Sequence, residues 1–285
     1  MRIKSINPPT LPFGGQSQQL STMKMEKGKG VQRFRKFADI MTKQPVLFKD
    51  LGKMAYPEAW DYQESLLQEN VQIKSRIREE GAGAERLSTT NYLLFVEHPP
   101  VYTIGKSGHE ENVLLNESEM DARGIGFFRT NRGGDITFHG PEQIVGYPIL
   151  DLEKFGTDIG KYLRNLEEVI ILTLADYGVQ GERSKGETGV WIEAGIPGKE
   201  RKIAALGVRC SRWITMHGFA FNINTDLRYF DGIIPCGIRN KQVSSLEREL
   251  GRTVDISEVK MYLKIHFEEV FHATIIHPSV TSRQH

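Results

Sequence analysis

Arg132-Gly133-Gly134-Asp135-Ile136-Thr137-Phe138-His139-Gly140-Pro141 sets a fixed cation, a flexible corner, a hydroxyl and an imidazole within eight residues, Arg132 to His139. Two adjacent glycines let a backbone approach a neighbour closely or take a positive φ. Thr137, Phe138 and His139 then alternate polar and apolar, which predicts a half-buried strand. Gly140-Pro141 closes the segment with a turn signal. Taken alone, the segment reads as a hairpin corner whose polar groups satisfy their own backbone. Two later stretches change that reading: Lys202-Ile203-Ala204-Ala205-Leu206-Gly207-Val208-Arg209 and Ile233-Ile234-Pro235-Cys236-Gly237-Ile238.

Upstream of the corner, Tyr56-Pro57-Glu58 opens a helix through Arg78, with Pro57 in the first turn and Trp60, Leu66, Leu67, Val71 and Ile73 on one face. Asn91 to Val96 reads as a buried strand stopped by His98-Pro99-Pro100, and Val101 to Lys106 as a second one entering a polar loop. Downstream, Gln143 to Leu150 is an apolar strand, and Asp158 to Tyr177 is the clearest helix, with Gly178 at its cap. Short strands follow at Gly189–Ile192, Lys202–Arg209 and Met216–Ile223, with Ala194–Glu200 as a hairpin connection between the first two. Val243 to Leu250 starts a helix and Ser257 to Val270 forms another. Strands and helices mix without strict alternation, which predicts an α+β fold: a mixed sheet with flanking helices.

Composition narrows the class. At 285 residues, with 39% hydrophobic and 26% charged residues, the chain has ample material for a packed core. A net charge of +1 gives no reason to expect nucleic acid or an anionic membrane as partner, and no apolar run reaches a bilayer span. Two cysteines, Cys210 and Cys236, make no disulfide scaffold, and the scattered histidines form no zinc motif; no metal is expected. There is no Walker-type phosphate loop. Residues 1–45 stand apart, with Pro8-Pro9, Gly14-Gly15 and nine Lys or Arg in 1–43 against Glu26 and Asp39. They read as a disordered extension, a start placed too early, or a transit peptide. Residues 46–275 read as one catalytic domain and 276–285 as a frayed tail. The cytoplasm is the expected location, or an organellar matrix if the extension is a transit peptide.

Cys236 sits between Pro235 and Gly237, where a strand should break, whereas a packing cysteine sits inside an apolar run. A thiolate is a nucleophile, and a neighbouring cation lowers its pKa. Lys202, 34 positions upstream, is the candidate cation, on a strand whose small residues Ala204, Ala205 and Gly207 leave room for a substrate. Cys210 ends a strand and reads as packing.

Arg-Gly-Gly-x-x-Thr-Phe-His-Gly-Pro, Thr188-Gly189-Val190-Trp191, Arg201-Lys202-Ile203-Ala204, His217-Gly218-Phe219-Ala220-Phe221-Asn222 and Ile234-Pro235-Cys236-Gly237 occur in that order. From about residue 47 to 272 this pattern resembles the lipoyl(octanoyl) transferases, known as LipB. The resemblance implies the catalytic fold of biotin and lipoate protein ligases and a two-step acyl transfer. Octanoyl would pass from octanoyl-acyl carrier protein to an enzyme cysteine. It would then pass to a lysine ε-amine on a lipoyl domain of a 2-oxoacid dehydrogenase or on the glycine-cleavage H protein. Matched motif by motif, Cys236 is the acyl acceptor, and Lys202 tunes its pKa and moves protons. Arg132, Gly133, Gly134, Asp135, Ile136, Thr137, Phe138 and His139, with Ala205, Leu206, Gly207, Gly218, Phe219 and Ala220, would line the acyl pocket. Thioester exchange is nearly balanced, so the resemblance implies no ATP and no cofactor; a monomer is expected.

Three features depart from the family pattern. Glu142 stands where glycine usually follows Gly-Pro, Phe138 replaces the common tyrosine, and the Ala194–Glu200 loop is longer than in many relatives. His139 and His217 read as hydrogen-bonded positioning residues rather than bases. The competing readings are an ATP-dependent lipoate or biotin ligase on the same fold, an amide-to-amide lipoyl relay, and a non-catalytic lipoyl-domain-binding protein.

Overall fold

Asn91–Glu97 is a strand in which every side chain but the last is buried, so both of its faces need cover. The computed structural model describes residues 43–81, 86–234 and 242–277, and these belong to one compact unit that begins at Lys43. Its larger sheet holds β1 (Gln44–Lys53), β2 (Asn91–Glu97), β6 (Gln143–Ile149), β7 (Val190–Ile192), β8 (Arg201–Ser211), β9 (Ile214–Asn222), β10 (Gln242–Val243) and β11 (Ala273–Ile276). The order is β10-β8-β9-β6-β2-β1-β11, with β7 also on β8. The central pairs are antiparallel, whereas β1 runs parallel to both β2 and β11, and β10 parallel to β8. The fold is therefore α+β with a mixed sheet.

Side-chain alternation divides the core. Leu93 and Phe95 point to one face, where α3 (Ile159–Asp176) and α5 (Ile256–Val270) bring Leu166, Ile170, Leu174, Val259, Leu263 and Phe267. Tyr92, Leu94 and Val96 point to the other, where α1 (Tyr56–Glu80) supplies Ala59, Leu66 and Leu67. Each such side chain contributes about 1.5–3 kcal/mol when fully buried. Asp158 and Asp255 cap α3 and α5 by accepting from Lys161 N (2.9 Å) and Ser257 N (2.8 Å).

A second sheet, β4-β3-β5, consists of β3 (Val101–Ile104) between β4 (Gly126–Arg129) and β5 (Ile136–His139). Its core holds Tyr102, Ile104, Ile136, Phe138, Phe230 and Ile233. Between its strands, α2 (Glu117–Ala122) begins in a capping box formed by Asn116 and Glu119. No helix among the described residues is long and apolar enough to cross a membrane.

Three expectations change. Val243 belongs to a strand, because Gln242 and Val243 pair in register with Arg201 and Lys202; the helix, α4 (Leu246–Leu250), starts only after the Ser245 cap. The 136–139 strand is not half-buried, since Ile136, Phe138 and His139 are all covered. The chain after α5 forms β11, a strand no sequence pattern announced, which ends at Ile276; of the tail expected from 276, residues 278–285 lie outside the described residues. The expectations for residues 1–42, and for Ala82 and Gly83 at the end of the first helix, lie outside the described residues.

Glu142 takes a φ of 62°, a conformation that favours glycine. Its carbonyl holds the turn by accepting from Ile223 N (3.3 Å), Asn224 N (3.1 Å) and Thr225 Oγ1 (3.0 Å). Glu142→Gly should therefore leave stability unchanged or raise it by up to about 1 kcal/mol, while Glu142→Val should cost about 1–2 kcal/mol. Urea denaturation of both variants checks this; a glycine variant less stable than the parent would contradict it.

Candidate active site

A cavity of about 280 Å³ opens between β8, β9, the start of α1 and the Gly-Gly corner. The corner is fastened to β8 by Gly133 N donating to Val208 O at 2.9 Å. That approach requires a glycine on β8, because a Cβ at Gly207 would lie 2.8 Å from Gly133 O and 3.1 Å from Arg132 Cδ. Gly218 on β9 is the register partner of Gly207. Lys106 N and Ser107 N tie the loop after β3 to Arg132 O (2.9 Å) and Gly134 O (3.2 Å).

Arg132 is 7% exposed. Its Nη1 donates to Gly133 O (3.0 Å), and its Nη2 donates to Thr103 O (2.6 Å) and Thr103 Oγ1 (3.0 Å). Buried guanidinium groups need such acceptors, since desolvating an unpaired charge costs several kcal/mol. Asp135 accepts from Asn112 Nδ2 at 2.8 Å, and Asn112 O in turn accepts from Ile234 N at 2.8 Å.

Lys202 opens β8 and is buried, with its Nζ 4.6 Å from the centroid of the Trp191 ring, a cation–π distance. Trp191 on β7 is its register partner. Gly189, at φ 125°, makes room for the lysine: a Cβ there would lie 2.7 Å from Ala204 O and 3.3 Å from Lys202 Cε. Gly189 N donates to Glu167 Oε1 at 3.0 Å, and this fully buried carboxylate also takes Arg164 Nη1 (2.6 Å) and Arg183 Nε (3.0 Å). Helix α3 thus fixes the loop against which Lys202 lies.

Three imidazoles are buried here: His139 and His217 line the cavity, and His98 packs against His139. His98 donates from Nδ1 to Met54 O (2.8 Å) and accepts at Nε2 from the Tyr147 hydroxyl (2.8 Å). His139 stacks on Tyr56 at 5.8 Å and touches Thr103 and Gln143 through its two nitrogens. His217 faces Asn131 Oδ1 at 2.8 Å through Nε2, and its backbone, at φ 58°, donates to Gln63 Oε1 on α1 at 2.9 Å. Burial pushes all three below the usual histidine value, His98 to about 4 and His217 to about 3, with Arg132 adding repulsion at His139 and His217. Burial likewise raises Tyr56 to about 12 and holds Tyr147 well above its ordinary value. The wall therefore carries no imidazolium at neutral pH.

Arg132, Gly134, Asp135, Ile136, Thr137, His139, Lys202, Ala205, Leu206, Gly207, Gly218, Phe219 and Ala220, all expected at the site, meet at this cavity. Gly133 and Phe138 do not line it. Gly133 is turned to Val208, and Phe138 points to the opposite face of β5, stacked on Tyr229 at 4.7 Å, because strand alternation separates it from His139. Cys236 falls in 235–241, outside the described residues. The chain lines the cavity at Phe230 and again at Val243, on either side of that segment. Cys210 lies near the end of β8, two residues before the Arg212-Trp213 turn, and burial pushes its thiol up, the opposite of what a nucleophile needs. The cavity also takes Tyr56, Gln143, Tyr147 and Asn222, which sequence reasoning assigned to elements but not to a site. No metal-binding cluster of His, Cys, Asp or Glu occurs among the described residues.

The family model of the lipoyl protein ligase A/B catalytic domain matches residues 55–268. The octanoyltransferase of Christiangramia forsetii is 57% identical over 228 residues, covering 80% of this chain and 96% of that relative. The octanoyltransferase of Flavobacterium johnsoniae is 59% identical over 232 residues, covering 81% and 98%. Among solved structures, the bipartite lipoate protein ligase of Thermoplasma acidophilum superposes with a TM-score of 0.59 at 18% identity, covering 85% of this chain and 88% of that one. A lipoate-protein ligase A bound with ATP gives 0.56 at 17%, covering 85% and 90%. At such identities the likeness is one of fold. The chain belongs to the lipoyl protein ligase A/B catalytic-domain family, as a LipB-type octanoyltransferase and hence an acyltransferase. The family resemblance carried by the five motifs agrees with this.

Two predictions follow from the geometry. An imidazole with a depressed folded pKa contributes its full stability above the unfolded value of about 6.5 and loses it as pH falls toward the folded value. At pH 5 His98 and His217 should each remove about 2 kcal/mol relative to pH 7.5, with His139 acting in the same direction. Guanidinium unfolding at the two pH values should show a steep fall, and an unchanged midpoint would contradict the assignment. Gly189→Ala should displace Lys202, lowering octanoyl-transfer kcat at least about tenfold, and should lower Tm as well, because the added Cβ meets the Ala204 carbonyl in a positive-φ backbone; parent kcat in a folded variant would contradict it.

Proposed function

We propose that the enzyme carries octanoyl through a thioester on Cys236, from octanoyl-acyl carrier protein to the ε-amine of a lysine on a lipoyl domain. The acceptors in view are 2-oxoacid dehydrogenase E2 subunits and the glycine-cleavage H protein. The Cys236 thiolate attacks the donor thioester carbonyl carbon; the new C–S bond forms as the donor C–S bond breaks. The departing carrier thiolate takes a proton from the Lys202 ammonium. The acceptor amine then attacks the enzyme thioester, the C–N bond forms, and the amine proton passes to Lys202 as the Cys236 thiolate departs. Both groups return to their starting state, so the cycle balances without ATP.

The observation that carries this reading is the tether of the Cys236 segment to the cavity that holds Lys202. Phe230 and Val243 line that cavity six residues before and seven after Cys236. Val243 is also in register with Lys202, and Ile234 N is pinned to Asn112 O. The small residues of β8 and β9 leave space for an alkyl chain, while hydrogen bonds at both ring nitrogens leave His139 as wall rather than as a base. Within the same family fold, an ATP-dependent ligase is the reading to exclude.

Incubation with octanoyl-acyl carrier protein alone should add one octanoyl group to the enzyme, released by hydroxylamine and passed on to a lipoyl domain. Cys236→Ser should lose both adduct and transfer. Transfer by that variant at the parent rate, or transfer that needs ATP, would overturn the proposal.

A further inference from the structure

We infer that Gln143 is a positioning residue: it holds His139 in the Nδ1–H tautomer, so that this imidazole of the cavity wall stays neutral while the acyl group is moved. Five side chains form one hydrogen-bonded line, and two backbone carbonyls fix its sense. Gln143 Nε2 lies 3.1 Å from Phe138 O, a group that only accepts, so this end of the amide is the donor. The same nitrogen donates to Asn222 Oδ1 at 2.8 Å, and Asn222 Nδ2 donates to Ser244 O at 2.9 Å, a second carbonyl that orients the second amide consistently. Gln143 Oε1 is therefore the acceptor that meets His139 Nδ1 at 3.1 Å, and that nitrogen carries the hydrogen.

The other ring nitrogen follows. His139 Nε2 is 3.2 Å from Thr103 Oγ1, and that oxygen already accepts from Arg132 Nη2 at 3.0 Å. Its own hydrogen is thus free to point at the imidazole, and Nε2 accepts it. The line runs in one direction, Arg132 to Thr103 to His139 to Gln143 to Asn222 to the Ser244 carbonyl. Ser244 N donates to Lys202 O at 2.9 Å, so the line ends on the backbone of the lysine strand. A second proton on His139 would have to reverse the Thr103 bond, turning that hydroxyl's hydrogen away, and would face Arg132.

The groups around the ring oppose that charge. Tyr56 of α1 stacks on it, His98 lies edge-on with ring centres 5.9 Å apart, and Arg132 and His217 act on it at longer range. Tyr147 of β6 bonds to His98 rather than to His139. Gln143 and Asn222, from β6 and β9, bring amides where carboxylates would have stabilised an imidazolium.

Two measurements test the inference, the first independent of which acyl donor the enzyme uses. In protein labelled with 15N-histidine, His139 should show a protonated Nδ1 and a bare Nε2 from pH 8.5 down to pH 6; an Nε2–H tautomer or an imidazolium in that range would overturn it. The second is Gln143→Glu, which keeps the size, puts a carboxylate against His139 and removes the donor to Phe138 O and Asn222 Oδ1. Octanoyl transfer by this variant, relative to the parent, should fall about tenfold between pH 8.5 and pH 6.5 as His139 becomes charged, mainly through KM. A variant-to-parent ratio that is flat with pH would mean that Gln143 only packs, whatever the identity of the acyl donor.

Discussion

The arrangement depends on the burial of one guanidinium. Arg132 can leave water only if acceptors are waiting, and they come from two places: the backbone and hydroxyl of Thr103 in the small sheet, and the carbonyl of Gly133 in the corner. The corner in turn is bonded to Val208 and presses on Gly207 of the large sheet. A single side chain thereby sets the small sheet against the corner, and the corner against the strand that bears Lys202. The fold and the cavity are settled by the same contacts.

The chemistry of the cavity is one of separation. On one side lie a lysine and an indole ring, held by a glycine whose amide is bonded to a fully buried glutamate. Elsewhere on the lining lie two imidazoles, His139 and His217, and two phenols whose protons burial keeps where they are at neutral pH. Between them, alanines and glycines leave space. An apolar chain can occupy such a space without displacing polar hydrogen bonds.

Much of this could be read from residue order. The Gly-Gly corner, the small residues of Ala204 to Gly207 and the His217-Gly218 pair announced themselves because glycine and alanine are informative where a strand would otherwise carry bulk. Period-two alternation also separates Phe138 from His139, although both fall within one motif. Gln143 escaped notice because an amide at the head of Ile144-Val145-Gly146-Tyr147 reads as the start of a buried strand, and its meaning comes from Asn222, 79 positions away. Tyr56 read as a helix opener for the same reason. Strand β11 was invisible because four residues of Ala-Thr-Ile-Ile gain their identity only from the parallel neighbour they meet. Val243 belongs to this class too: its strand character comes from Lys202.

That parallel neighbour lies at the far end of the described chain. Gln44, Pro45, Val46 and Leu47 align with Ala273, Thr274, Ile275 and Ile276, and Val46 also aligns with Asn91 on its other side. One edge of β1 must therefore wait, during synthesis, until the chain as far as Ile276 has left the ribosome. Until then the nascent chain carries an unpaired strand flank and an uncovered stretch of core beside it. Closure of this sheet waits on that distant strand, and contacts of such long sequence separation are the ones that slow folding.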